Sequence, residues 1–303
     1  MSEEKTLFST SENEGGAVNQ ASNPTKVKPN VRFFTKAALT QDLLEINGRG
    51  WIENTLGNSD GVQGDMLELL LEIPTNNLPI ADASGWELKT QKKPSSSLIS
   101  LSHSEPNPKE AKITTKVMLP NYGWRHQKAG TKYPENELSF RMTMNGVSYT
   151  DRGFKLNVDR TANRVNIVFD STKVSPRHSE WLESVKSRVG LGDIPIQPYY
   201  DFSDFYMTIG RKFLNCFLVL CDVKTEKVQE EQDGVMVEVK KKFFHYNEAY
   251  ILEKVDIQKF LDCIEDGTIK IEFDARTGHN HGTKMRIAEK DIRKLYKKCT
   301  KIM

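Results

Sequence analysis

Short strand-like runs, alternating with amphipathic helical segments, fill the chain from Val31 to its end. The longest apolar run, residues 216–221, is far shorter than the roughly 18 apolar residues that a membrane-spanning helix requires. Runs this short that are rich in branched and aromatic residues are typical of buried strands. The pattern therefore predicts an α+β fold, in which a mixed β-sheet is flanked by helices.

Hydrophobic periodicity also predicts where the individual elements lie. Helices are predicted at residues 37–46, 61–73, 178–189, 257–264 and 288–298. Strands are predicted at residues 78–82, 86–91, 98–103, 113–119, 138–144, 154–158, 164–169, 213–223, 235–244, 249–252 and 268–273. Residues 1–30 are rich in Ser, Asn, Glu and Gly with almost no apolar periodicity, so we expect a flexible tail there.

The cysteines and the first residues of the chain indicate the cellular compartment in which the protein is expected. The four cysteines lie in apolar or helical runs and form no Cys-x-x-Cys pair, which argues against a disulfide framework or a zinc site. The first five residues, MSEEK, lack the basic-then-apolar order of a signal peptide. We therefore expect a cytoplasmic protein.

Positive charge is concentrated in two segments, although the net charge is only +2. Residues 85–133 contain nine Lys or Arg and three Glu. Residues 276–303 contain nine Lys or Arg, against Glu289 and Asp291. Two such segments in a near-neutral protein indicate a polyanionic partner. The alternative is a solvated lysine-rich surface.

Asp82, Glu87 and Lys89 form the pattern Asp-x4-Glu-x-Lys. On a strand, Glu87 and Lys89 point to one face, and the apolar residues beside them point into the opposite layer. A turn at residues 84–85 can bring Asp82 beside Glu87. Two convergent carboxylates can bind a hard divalent cation such as Mg²⁺, and a lysine beside them can act on the attacking water. These are the groups that phosphodiester hydrolysis requires.

The pattern also occurs on the solvent-facing side of ordinary strands, so by itself it leaves a structural interpretation open. Its context favours chemistry. The pattern lies at the start of the first basic segment and follows a glycine-led helix that carries Glu68, a further acidic contributor. Trp86 and Leu88 fall on a plausible core face.

Longer stretches resemble the MvaI/BcnI-type restriction endonucleases of the PD-(D/E)xK superfamily, which are similar in architecture to the MutH mismatch-repair nickase. The resemblance covers about residues 56 to 297. The stretches that carry it are GVQG and LE within residues 61–68, Asp82, ELK at 87–89, LISLSH at 98–103, SFR at 139–141, RGF at 152–154, NCFLV at 215–219, IEFDAR at 271–276 and HGTKMRI at 281–287.

The resemblance implies a type II restriction endonuclease that hydrolyses double-stranded DNA with Mg²⁺. Asp82, Glu87 and Lys89 would be the catalytic trio, with the metal on the two carboxylates and with Glu68 in support. The enzyme would bind DNA as a monomer, in a cleft between a catalytic lobe (residues 31–150) and a recognition lobe (residues 151–303). A cognate methyltransferase in the same system would be a second partner.

Two alternatives remain beside this interpretation. One is a MutH-like DNA-nicking repair endonuclease, and the other is a catalytically silent DNA-binding protein of the same fold. The clustered carboxylates argue against the silent protein, because a protein that only binds DNA has no physical need for two carboxylates beside a phosphate.

Residues 278–284 carry two histidines within the second basic segment, and we predict a loop there that enters a DNA groove. The alternative is a polar loop before a strand. His103 would face the groove from the other lobe, or else be a satisfied histidine at a strand end. The aromatic stretch 199–206 is interleaved with acids, which favours packing between lobes over base stacking. The predicted DNA contacts are Lys92, Lys93, His103, Arg276, His279, His281, Lys284 and Arg286.

Overall fold

A computed structural model of the chain describes residues 33–74, 81–232 and 234–303. The predicted tail at residues 1–30 lies outside the described residues, as does most of the predicted strand at residues 78–82. Within the described part of the chain, no helix is long and apolar enough to cross a membrane.

Helices and strands alternate along the chain, as the sequence predicts. The α-helices are α1 (Lys36–Gly48), α2 (Val62–Leu70), α3 (Leu119–Tyr122), α4 (Ser179–Val189), α5 (Phe202–Lys212), α6 (Ile257–Glu265) and α7 (Glu289–Ile292). The strands are β1 (Ile52–Glu53), β2 (Glu87–Lys93), β3 (Ile99–His103), β4 (Trp124–Arg125), β5 (Leu138–Met144), β6 (Arg152–Asp159), β7 (Arg164–Val174), β8 (Tyr199–Asp201), β9 (Asn215–Gln232), β10 (Val235–Val255), β11 (Ile269–Arg276), β12 (His279–Ile287) and β13 (Tyr296–Lys301).

These strands form three sheets. The first has the order β1-β10-β9-β2, with β13 also paired to β10, and its β2–β9 pair is parallel. The second is antiparallel throughout, in the order β3-β12-β11-β5-β4. The third has the order β6-β7-β8. Because the first sheet mixes parallel and antiparallel pairs and helices pack against it, the predicted α+β fold is confirmed.

Apolar side chains cover both faces of the first sheet where β9 pairs with β2. On one face, α1 and α2 bury Leu43 and Leu67 against Phe217. On the other face, Cys216 and Leu218 join the main core, which also includes the second and third sheets and α4 to α6. Neighbouring residues on a strand of this sheet therefore face two different cores, as the period-2 alternation of a strand requires.

Two predicted secondary structures are wrong. Residues 113–119 form a π-helix (Ile113–Met118) that leads into α3, not a strand. Ile113 and Val117 are both buried, and this four-residue spacing also fits one face of a helix. Residues 288–298 form the short α7, a 3₁₀ turn and then β13, not one amphipathic helix. Pairing of β13 with β10 overrides the local helical pattern.

Two segments predicted to lie outside the strands are strands. The charged residues 224–232, between the predicted strands 213–223 and 235–244, extend β9, where Lys227 pairs with Glu238 at 2.7 Å. Residues 279–284 belong to β12. Both segments have an extended backbone but consist mostly of polar residues. Such a composition is equally typical of a loop, so it did not predict a strand.

The lobe boundary predicted at residue 150 stays a prediction. Phe33–Met303 forms one compact unit. The first sheet pairs β2 with β9, and the second pairs β3 with β12, so both sheets combine strands from the two halves of the chain. In the stretch 199–206, the rings of Tyr200 and Phe205 lie buried in the main core.

Candidate active site

A tight turn of residues 83–86 precedes β2. Two backbone hydrogen bonds of 2.9 Å close the turn, and its central residues Ser84 and Gly85 both have positive φ, 49° and 93°. This is the geometry of a type I′ turn, for which glycine is the natural second residue. The turn brings Asp82 back to the strand, where its Oδ2 accepts a hydrogen bond of 2.9 Å from the backbone N–H of Leu88.

The side chains of β2 alternate as predicted. Leu88 is buried with α1 and α2 in the smaller core. Glu87 and Lys89 lie on the opposite face, where they align with Cys216 and Leu218 of β9. The Lys89 ammonium donates to Glu87 Oε1.

Glu87 is fully buried, at 0% exposure. Its Oε1 contacts the Lys89 ammonium and lies 3.5 Å from Nζ of Lys212. Its Oε2 has no hydrogen-bond partner among the described residues. Burial raises the pKa of Glu87 to about 7, although the two lysines oppose that shift. At neutral pH this carboxyl is therefore poised between its charged and neutral forms.

Two lysines compensate the charge of Glu87. Burial alone would lower the pKa of Lys89, but contact with Glu87 raises it above its ordinary value, so Lys89 is a cation at neutral pH. Lys212 is the last residue of α5 and reaches the site from the main core. Lys212 was not among the site residues predicted from the sequence. The available signal was its place at the end of an amphipathic helix, just before the strand that pairs with β2.

Glu68 projects from α2 toward the same site. Burial raises the pKa of Glu68, and the negative charges of Asp82 and Asp65 raise it further. Glu68, Asp82 and Glu87 thus form an acidic cluster around Lys89. Among the residues that the structure describes, no three His, Cys, Asp or Glu side chains are arranged as a complete metal site. Any cation here would rely on two carboxylates.

The second sheet has one buried face and one polar face. Cross-strand register aligns Thr143, Glu272, Lys284 and His103 in one row across β5, β11, β12 and β3. Burial lowers the pKa of His103, and the positive charges of Lys284 and Lys212 lower it further. The row therefore ends close to the lysines of the acidic cluster.

The basic residues predicted to contact DNA differ in whether their side chains already bind other groups of the protein. Arg286 donates to Glu272 at 2.7 Å and to the Leu98 carbonyl at 2.9 Å. Arg276 donates to the buried Glu137 at 3.0 Å, and Lys93 donates to Glu248 at 3.1 Å. By contrast, the described residues include no ion-pair partner for Lys284 or Lys92.

His279 and His281 lie at the exposed start of β12. Their rings pack edge to face, with centroids 4.2 Å apart. The backbone then bends at Gly282, whose φ is 81°. Both imidazoles are thus presented together at the surface, from a strand and not from the predicted loop.

Comparisons with known proteins bear on what this arrangement does. The model of the MvaI/BcnI restriction endonuclease family matches residues 40–296. Among solved structures, "Restriction endonuclease MvaI-cognate DNA substrate complex" has 18% sequence identity and a TM-score of 0.64, covering 89% of this chain and 100% of that chain. "Restriction endonuclease MvaI in the absence of DNA" also has 18% identity, with a TM-score of 0.49 and coverage of 90% and 100%.

No curated protein matches the sequence. The likeness to the DNA complex supports the fold, and the family model covers most of the chain, including the cluster around Glu87. The chain belongs to the MvaI/BcnI restriction endonuclease family and is a type II restriction endonuclease, a site-specific deoxyribonuclease.

Proposed function

We propose that this restriction endonuclease cuts double-stranded DNA with Mg²⁺ held by Asp82 and Glu87. The observation that carries the proposal is the buried Oε2 of Glu87, which has no hydrogen-bond partner among the described residues. An unpaired buried acceptor costs roughly 1–3 kcal/mol, and a cation bound there relieves that cost. Restriction endonucleases generally use divalent metal ions.

The donor chemistry favours Mg²⁺ over a softer metal. Asp82 and Glu87 offer carboxylate oxygens, which are hard ligands. The neighbouring thiol, Cys216, is fully buried, and burial raises its pKa, so it stays protonated and binds metal poorly. With two protein ligands, water and phosphate oxygens would complete the coordination, as is usual for Mg²⁺.

The residues around the pair have distinct roles in the proposed reaction. When bound by Asp82 and Glu87, Mg²⁺ would stabilise charge at the scissile phosphate and lower the pKa of water. Lys89, held by Glu87, orients the attacking water and offsets developing negative charge. Lys212 adds a second positive charge beside the same carboxylate. Glu68 supports the site from α2 as a third carboxylate.

The polar face of the second sheet is the proposed DNA-binding surface. This face extends from Thr143 on β5 to His103. In addition to burial, the charges of Lys212 and Lys89 in the proposed active site lower the pKa of His103. Lys284 lies in this row without an ion-pair partner among the described residues, so it is free to meet a phosphate. A duplex lying along this face would place a backbone phosphate near Glu87.

We assign base reading to His279 and His281 and phosphate contacts to the lysines. Exposed imidazoles can donate to base edges, whereas a free ammonium acts as a point charge on phosphate. Lys92 joins Lys284 in the phosphate-binding set. Arg276 and Arg286 already donate to buried or half-buried carboxylates, so they shape the surface as well as charging it.

The first sheet would then belong to the catalytic lobe and the second to the recognition lobe. The proposed monomer would bind one duplex at a time, with the acidic cluster around Lys89 acting on one strand. A methyltransferase that reads the same sequence would protect the host's own DNA.

Replacing Asp82 or Glu87 by Ala tests the metal site. We expect each variant to lose DNA cutting in Mg²⁺ but to keep DNA binding, because removing a carboxylate near phosphate reduces repulsion. Asp65→Ala, which removes an exposed carboxylate from the same region, is the matched control and should still cut. The proposal fails if Glu87→Ala cuts plasmid DNA at the wild-type rate.

A further inference from the structure

Behind the two histidines of β12 lies a half-buried carboxylate, Glu105, which follows β3 in the chain. Its Oε1 accepts hydrogen bonds of 3.2 Å from Asn280 Nδ2 and of 3.2 Å from Thr283 Oγ1. Its Oε2 accepts from Thr114 Oγ1. One carboxylate thus gathers three donors, two of them from the strand that carries the histidines.

The three donors to Glu105 have little freedom. Thr283 is 1% exposed, and Thr114, on the π-helix, is fully buried. Asn280 lies between His279 and His281, and its Oδ1 also accepts from the backbone N–H of Gly282 at 2.9 Å. Both ends of the Asn280 amide are therefore held, one by the bend at Gly282 and the other by Glu105.

The segment that carries Glu105 is itself anchored. The Ser104 N–H donates to the Thr283 carbonyl at 2.9 Å. Asn107 exchanges backbone hydrogen bonds with Tyr199, and its side chain donates to Asp204 at 2.7 Å. Hydrogen bonds therefore anchor the backbone on both sides of Glu105, to β12 on one side and to β8 and the start of α5 on the other.

We propose that Glu105 positions His279 and His281 and thereby sets the sequence specificity of the enzyme without contacting DNA. The inference rests on the proposed base-reading role of the histidines. A hydrogen bond to a base edge needs a side chain held in place by packing and by supporting hydrogen bonds. Hydrogen bonds accepted by a charged carboxylate supply that support more strongly than neutral ones.

A positioning role has a distinct signature in DNA binding. A negative charge beside a phosphate-binding face weakens binding to every duplex, so removing Glu105 should leave non-specific affinity unchanged or slightly raised. Loss of the histidine positions should lower only the affinity for the cognate sequence. The ratio of cognate to scrambled affinity therefore separates positioning from simple charge.

The experiment is a binding titration in EDTA, which prevents cutting. The probes are a duplex with the sequence found at wild-type cut ends and a scrambled duplex. We expect Glu105→Ala to lower the cognate-to-scrambled ratio about tenfold or more, the effect of one lost base contact. Glu105→Gln keeps the size of the side chain and one carbonyl acceptor, so it should lower the ratio less than Glu105→Ala does. Glu110→Ala, which removes an exposed carboxylate five residues away, should leave the ratio unchanged.

His281→Ala distinguishes this inference from the function on which it rests. If Glu105 acts through the histidines, the double variant Glu105→Ala/His281→Ala should have the same ratio as His281→Ala alone. If His281→Ala leaves the ratio unchanged, base reading by this histidine is wrong and the inference falls with it. If His281→Ala lowers the ratio but both Glu105 variants match wild type, only the role of Glu105 is overturned.

Discussion

Glu87 shows how one residue carries both a structural cost and the proposed chemistry. A fully buried carboxyl with an unpaired oxygen is an expensive feature in a folded core. The lysines that contact it offset part of the cost, yet its pKa still rises to about 7. Such an environment disfavours the ionised form until a cation arrives, and this suits a metal ligand.

The cost of Glu87 should appear as a pH-dependent stability. Its pKa is raised from 4.5 to about 7 in the folded state, so the folded protein holds this proton more tightly than the unfolded chain. Its contribution to the free energy of unfolding is thus fully present below about pH 4.5 and is lost as the pH rises to about 7. We expect Glu87→Gln to be more stable than wild type by roughly 1–3 kcal/mol at pH 8 in EDTA.

Urea unfolding at pH 5 and pH 8 measures this difference. The advantage of the Gln variant should shrink at pH 5, where the wild-type carboxyl is protonated. Glu110→Gln, an exposed control, should show little change at either pH. A Gln variant that is less stable than wild type at pH 8 would show that the ion pair with Lys89 outweighs burial.

Lys212 should act on the reaction through Glu87. Its positive charge lowers the pKa of that carboxyl, so Lys212→Ala should raise the pKa further and leave less of the metal-binding form at neutral pH. We expect the rate of DNA cutting to fall and its pH profile to move to higher pH. Arg211→Ala removes the exposed charge next to it and should leave the profile in place. An unshifted profile in Lys212→Ala would rule out this role.

At the scale of elements, the sequence predicted those features that depend only on neighbouring residues. The alternation along β2 and the turn before it follow from residues 82–89 alone, so Glu87, Lys89 and Asp82 were placed correctly relative to one another. Lys212 and Glu105 are distant in sequence from their partners, and only the β2–β9 and β3–β12 pairings reveal them. The helix expected near the C-terminus was wrong for the same reason, since pairing with β10 decides its last part.

The division of the second basic segment between two sheets leads to a test. Lys284 belongs to β12 and the proposed DNA surface, whereas Lys298 belongs to β13 in the first sheet and pairs with Glu253 at 3.4 Å. We expect Lys284→Ala to weaken binding to cognate and scrambled duplexes alike and to flatten the salt dependence by about one phosphate contact. Lys298→Ala should do neither. Titrations at about 50 and 200 mM salt distinguish the two, and equal salt slopes would contradict the assignment.

At the scale of the whole molecule, the proposed catalytic and DNA-binding roles belong to two different sheets. The first sheet carries the acidic cluster on β2, and the second presents a polar face that ends at His103, whose pKa is lowered by burial and in part by the charges of Lys212 and Lys89. The proposed catalytic cluster and the proposed DNA-binding face thus belong to one compact unit, Phe33–Met303. On the proposed assignment, a single chain would hold a duplex and act on one of its phosphates.

Sequencing the ends of plasmid DNA after digestion tests the central claim most directly. In Mg²⁺, wild-type protein should produce discrete fragments whose ends share one sequence, while excess EDTA or Glu87→Ala should leave the plasmid intact though still bound in a gel shift. Nicked circles without linear fragments would indicate a nicking enzyme instead. Undiminished cutting in EDTA, or by Glu87→Ala, would contradict the account.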